Sequence, residues 1–80
     1  MGGAARKMNR IAIQRALGRR IRKVRRDMGL TEQAFARLCK VKALKIWRLE
    51  GGRVNPTLAT LARIARALET TIEELFKGIQ

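Results

Sequence analysis

Apolar residues recur at helical intervals along most of the chain, and the stripes break at glycine, proline and capping residues. Between Arg10 and Met28, the residues Ile13, Leu17, Ile21, Val24 and Met28 follow one another at intervals of four, four, three and four. That spacing predicts an amphipathic first helix. Arg19, Arg20, Arg22, Lys23, Arg25 and Arg26 fill its other faces. Gly18 falls inside the stripe, where glycine weakens a helix by roughly 1 kcal/mol relative to alanine. It marks either a kink or the true start of the packed helix. Gly29 supplies a residue able to take positive φ and end the helix.

Leu30–Glu50 has the length and apolar spacing of two short helices joined by a tight turn. Thr31 is a good N-cap for a second helix over about Glu32–Leu38, and Glu32 suits its positive N-terminus. Lys40–Lys42 form the turn, and a third helix runs from about Ala43 to Glu50 before Gly51-Gly52 stops it. Phe35, Ala36, Cys39, Val41, Ile46 and Leu49 stand where two crossing helices must touch. Ala43, Leu44, Trp47 and Arg48 are left on the far side of the third helix, free to face something else. After the connector Arg53–Pro56, Thr57 caps a fourth helix with apolar positions Leu58, Leu61, Ile64, Ala65 and Leu68. Thr71-Ile72-Glu73-Glu74 reads as a capping box opening a short fifth helix, Ile72–Lys77, which ends at Gly78. The expected fold is all-α, a compact five-helix bundle over 10–80, preceded by a flexible basic arm over 1–9.

Composition narrows the chemistry. Eighty residues make one small domain, close to the size at which a single core stands without staples. One cysteine and no histidine leave no disulfide framework and no ligand set for zinc, so no metal or cofactor is expected. Cys39 falls in the apolar register and reads as a small core residue rather than a reactive thiol. No apolar run approaches the roughly 20 residues of a membrane span, and the N-terminus lacks the apolar core of a secretory signal. A soluble, cytoplasmic protein is the expectation. There is no paired-carboxylate, Cys–His or phosphate-cradling glycine arrangement, so an enzyme is not expected. Glu73 and Glu74 are adjacent on a helix and point about 100° apart.

Charge is the stronger signal. Residues 1–53 carry sixteen Lys/Arg against Asp27, Glu32 and Glu50, whereas residues 54–80 are neutral. A polyanion partner for the first two-thirds follows, because neutralising phosphates releases counterions and dominates affinity.

Four pieces of the chain, in order and at matching spacings, resemble the Cro/repressor-type helix-turn-helix domains of the XRE-like family. They are Leu17–Arg26, Gly29–Ala36, Ile46–Glu50 followed by Gly52, and Asn55–Leu58 with Ala65–Leu68. The resemblance covers about Leu17 to Phe76 and implies a DNA-binding domain, often dimeric on a two-fold operator. It implies base contacts from Ala43, Leu44, Lys45, Trp47 and Arg48. It also implies phosphate contacts from Thr31 and from the loop holding Arg53 and Asn55; the basic side chains of Lys40, Lys42 and Arg10 are expected to add further phosphate contacts. Arg25 and Glu50 match positions where the family pairs its first and third helices, which implies a structural ion pair. Three features depart from the family pattern. Glu32 stands where a glutamine usually touches a phosphate, Lys40 stands where the turn usually holds glycine, and Leu44 and Trp47 are apolar where polar readers are usual.

Arg48 can make a bidentate contact to guanine, and Ala43 and Leu44 suit thymine methyl groups. Trp47 either packs in the groove or folds back over the core edge. Arg48 serves either a base, a phosphate or Glu50. The basic face of the first helix is either phosphate-facing or merely solvated. Ile72, Leu75, Phe76 and Ile79 offer more apolar surface than a five-residue helix needs, which makes them the expected homodimer interface. The function these readings imply is a small repressor or controller binding an inverted-repeat operator in double-stranded DNA. The alternative is an antitoxin or protein-interaction module that uses the Leu44/Trp47 face on a protein partner.

Overall fold

A computed structural model describes residues 9–79 and places five helices in chain order: α1 (Arg10–Asp27), α2 (Glu32–Cys39), α3 (Ala43–Glu50), α4 (Leu58–Ala67) and α5 (Ile72–Phe76). The expected basic arm lies, apart from Asn9, outside the described residues. Asn9 itself is the N-cap of α1, its side chain accepting from the Ala12 amide at 2.8 Å. The threonines cap as their positions suggest. Thr31, Thr57 and Thr71 accept from the amides of Ala34, Thr60 and Glu74 at 3.0, 3.1 and 3.0 Å. Lys42, the N-cap of α3, makes no side-chain cap bond.

The first four helices end in one geometry. The amides of Leu30, Val41, Arg53 and Thr70 reach back five residues to the carbonyls of Arg25, Ala36, Arg48 and Ala65, at 2.8–3.1 Å. This is the Schellman closure, which needs a left-handed residue just past each helix. Gly29 and Gly52 provide it twice, and Lys40 (φ 60) and Glu69 (φ 56) provide it without glycine. The turn after α2 therefore keeps the bend that glycine usually makes, with lysine taking the strain.

A single core joins the helices. Leu17 and Ile21 of α1 meet Phe35, Ala36 and Cys39 of α2, Ile46 and Leu49 of α3, Leu61, Ile64 and Ala65 of α4, then Leu68 and Leu75. Three apolar positions of the helical stripes are not in it: Ile13 of α1 is only half-buried, outside the cluster. Leu58, at the first turn of α4, is 75% exposed, and Met28 caps α1 from outside. α3 crosses both α1 and α2, while α4 backs α2 and α5 closes over α1 and α4. This arrangement wedges α3 in place from behind and leaves its front open.

Candidate nucleic-acid interface

α3 is positioned by its inward face. Ile46 and Leu49 are buried, and so is Glu50. Both Glu50 carboxylate oxygens are taken by Arg25, whose Nε donates to Oε2 at 2.6 Å and whose Nη2 donates to Oε1 at 2.9 Å. The remaining Arg25 nitrogen, Nη1, donates to the Leu30 carbonyl at 2.7 Å. One guanidinium thus ties α1 to the start of α2 and to the end of α3. The Glu50 hydrogen bond holds the Arg25 pKa above its ordinary value, against the opposing effect of burial.

Two glycines let the backbones close in. α1 runs unbroken through Gly18, so this residue is not the start of the helix. It is the point where α1 touches the end of α3: a Cβ there would meet the Leu49 carbonyl oxygen and lie 2.6 Å from that of Glu50. Gly52 (φ +71) sits on Arg15, with a virtual Cβ 2.7 Å from the Arg15 Cα, and its carbonyl accepts from Gln14 Nε2 at 3.4 Å.

The outward face of α3 carries the residues implied for base contact. Leu44, Lys45, Trp47 and Arg48 are exposed and Ala43 is half-buried. At 100° per residue, Leu44 and Arg48 share the centre of that face, with Trp47 on one flank and Lys45 on the other. Trp47 does not fold over the core. It is 49% exposed, with the Arg53 guanidinium 4.9 Å from its ring centroid, a cation–π stack. Arg48 makes no ion pair among the described residues, and Glu50 is already engaged. An open groove of about 420 Å³ runs between α3 and the 54–57 connector, with Leu44, Lys45 and Arg48 on one wall and Val54, Asn55 and Pro56 on the other.

Of the residues expected to contact phosphate, Lys42 and Asn55 line the groove beside α3, while Lys40 lines a separate recess with Arg63 and Arg66. Thr31, Lys40, Lys42, Asn55 and Arg10 are all exposed. Thr31 uses its oxygen as a cap and keeps its hydroxyl proton to donate. Arg53 is stacked on Trp47. Glu32 has cations nearby: with Arg22, Arg53, Trp47 and Glu50 it lines a recess of about 230 Å³ beside the start of α2.

The C-terminal apolar set needs a correction. Leu75 is 1% exposed and belongs to the core, so its side chain is not available to a second chain. Ile72, Phe76 and Ile79 are half-buried against the same core. Only the outer edge of α5 remains open.

Arg20 has a role that the sequence does not signal. Its Nη1 donates to the Glu74 carbonyl at 2.9 Å and its Nη2 to the Lys77 carbonyl at 2.8 Å, capping the end of α5. Its neighbours Arg19, Arg22 and Arg26 stay exposed, and Lys23 pairs with Asp27 at 2.9 Å. The Asn9 cap did have a signal, an Asn immediately before the first helical stripe. Cys39 is fully buried, and burial pushes its thiol up to about 11, so the thiolate is suppressed near neutral pH. No described helix is long and apolar enough to cross a membrane.

Comparison with known proteins gives this geometry a family. A helix-turn-helix domain model matches residues 16–76. An uncharacterized HTH-type transcriptional regulator of Methanothermobacter thermautotrophicus is 42% identical over 57 residues, spanning 70% of this chain and 83% of that protein. Another, from Archaeoglobus fulgidus, is 39% identical over 57 residues, or 71% of this chain and 81% of its own. Among solved structures, the restriction-modification controller protein C.AhdI from Aeromonas hydrophila superposes with a TM-score of 0.77. It shares 28% identity, over 79% of this chain and 96% of that one. With α2 and α3 as its two characteristic helices, the chain belongs to the helix-turn-helix family of XRE-like transcriptional regulators.

Proposed function

We propose that this protein is a small repressor or controller that binds a specific site in double-stranded DNA, with α3 in the major groove. The observation that carries the reading is the division of α3. Its inward half is locked by Arg25–Glu50 and Gly18, while Leu44, Lys45, Trp47 and Arg48 stand outward on a strongly cationic protein. An α-helix fits the major groove, and the residues near its N-terminus reach the base edges. Arg48 reads guanine. Thr31, Lys40, Lys42, Arg53, Asn55 and Arg10 contact phosphates on either side and set the register.

The active species is a two-fold dimer that joins the outer edges of α5 through Ile72, Phe76 and Ile79. It spaces two α3 helices by about 34 Å, one turn of DNA.

Selection of bound sites from a random duplex pool tests the reading, with the winner's affinity followed against salt. The expected result is an inverted repeat with half-sites one helical turn apart and steep salt dependence. Arg48→Ala should lose about 1–3 kcal/mol of discrimination at one guanine. Binding without any enriched sequence would reject specific readout and turn the Leu44/Trp47 face over to a protein partner. A monomer by light scattering at micromolar concentration, with and without DNA, would reject the dimer.

A further inference from the structure

Leu44 is the anomaly of the outward face. It is 54% exposed at the centre of the outward face, between Trp47 and Arg48, where a lysine or glutamine would be the ordinary surface residue. A leucine cannot donate or accept a hydrogen bond. The one apolar group on base edges in the major groove is the C5-methyl of a pyrimidine. Trp47 is less suited to that group, because its ring already carries Arg53 at 4.9 Å and it stands on the flank of the face. The surroundings suit DNA as the covering partner. Leu44 shares a groove with the apolar side chains of Val41, Val54 and Pro56, and Lys42, Lys45 and Arg48 line the same groove with positive charge.

We infer that Leu44 reads a pyrimidine C5-methyl group, so that the protein binds preferentially to duplexes methylated at one defined position, as thymine or as 5-methylcytosine. This inference rests on the DNA-reading proposed above and specifies its ligand. Leu44 and Arg48 are four residues apart, with Cβ atoms about 5–6 Å from one another. Base pairs stack about 3.4 Å apart, so the methylated pyrimidine lies one or two base pairs from the guanine read by Arg48. Leu44 precedes Arg48 on α3 and is nearer the helix N-terminus, the end that approaches base edges most closely. Methylation of a cytosine at that position adds the same methyl without altering base pairing, so it strengthens binding.

The test uses the full chain and its selected duplex in two matched pairs at that position: thymine and deoxyuridine opposite adenine, and 5-methylcytosine and cytosine opposite guanine. Burying one methyl is worth about a four-fold change in affinity. Thymine should therefore bind about four-fold tighter than deoxyuridine, and 5-methylcytosine tighter than cytosine by a similar factor. In Leu44→Ala both ratios should fall to one, and in Leu44→Met they should survive. A preference for thymine over deoxyuridine without one for 5-methylcytosine over cytosine would overturn the methylation arm. Ratios of one in the unaltered protein, or ratios unchanged in Leu44→Ala, would overturn the inference. The guanine preference at the Arg48 position separates the two readings. Where it holds, only the methyl inference has failed; where it is absent too, the DNA-reading fails with it.

Discussion

The two faces of α3 put the same eight residues to opposite uses. Inward, Glu50 and Arg25 are buried and fully hydrogen-bonded, and the backbone of α1 rests directly on that of α3 at Gly18. Outward, Leu44 and Trp47 leave about half their surface to solvent, beside cations with no acidic partner among the described residues. The inward face buries polar groups at high desolvation cost and recovers it by fixed geometry. The outward face keeps apolar area wet, which costs stability and is useful only when something covers it. The two faces should therefore separate under mutation: inward changes should unfold the domain, and outward changes should alter binding alone.

The strongest way to break the comparison is to remove one member of the buried pair. Glu50→Ala leaves the Arg25 guanidinium buried with only the Leu30 carbonyl, and should cost about 3–5 kcal/mol in urea unfolding. Total stability of small domains is only about 5–15 kcal/mol, so this variant should be close to unfolded at 37 °C. Arg25→Met combined with Glu50→Leu removes both charges and should recover most of the loss. A single-variant cost below about 1 kcal/mol would mean that the pair does not hold α3.

Gly18→Ala tests the same seam through sterics. Alanine should gain about 1 kcal/mol in helix propensity. Its Cβ would instead press on two backbone carbonyls of α3, which cannot rotate away as a side chain could. The net expectation is a loss of about 1–3 kcal/mol, with salt-dependent DNA affinity unchanged once folding is restored by an osmolyte. A stabilised Gly18→Ala would show that the helices are further apart than described.

These two positions also show what the sequence could and could not reveal. Helix positions were legible because apolar spacing and threonine caps are local: α3 spans Ala43–Glu50 as its spacing predicts, α2 is one residue longer than expected and α5 one shorter. The outer face of α3 followed from the same periodicity. Gly18, by contrast, looks like a helix weakness until the partner backbone is known, 31–32 residues further along the chain. Leu75 was misassigned for the same reason. Which side of α5 faces inward depends on its seat against α1 and α4, and Arg20 caps its end from 54 residues away. The Arg53–Trp47 stack depends on the turn at Gly52, which no local pattern aims.

The smallest effect is the one that best sharpens the contrast, because it moves stability and binding in opposite directions at one residue. Lys40 holds φ 60 at the end of α2, a conformation that costs a side-chain-bearing residue about 1–2 kcal/mol. Lys40→Gly relieves that cost but adds unfolded-state entropy, so we expect a net stabilisation of about 0.5–1 kcal/mol. If the ammonium rests on a phosphate, the same change lowers the slope of log affinity against log salt by about 0.9. Glu69 takes the same conformation, φ 56, after α4, so Glu69→Gly serves as the control. It should stabilise by a similar amount and leave the salt slope alone. Loss of stability in both variants would remove the shared left-handed closure, and an unchanged slope in Lys40→Gly would take Lys40 off the DNA backbone.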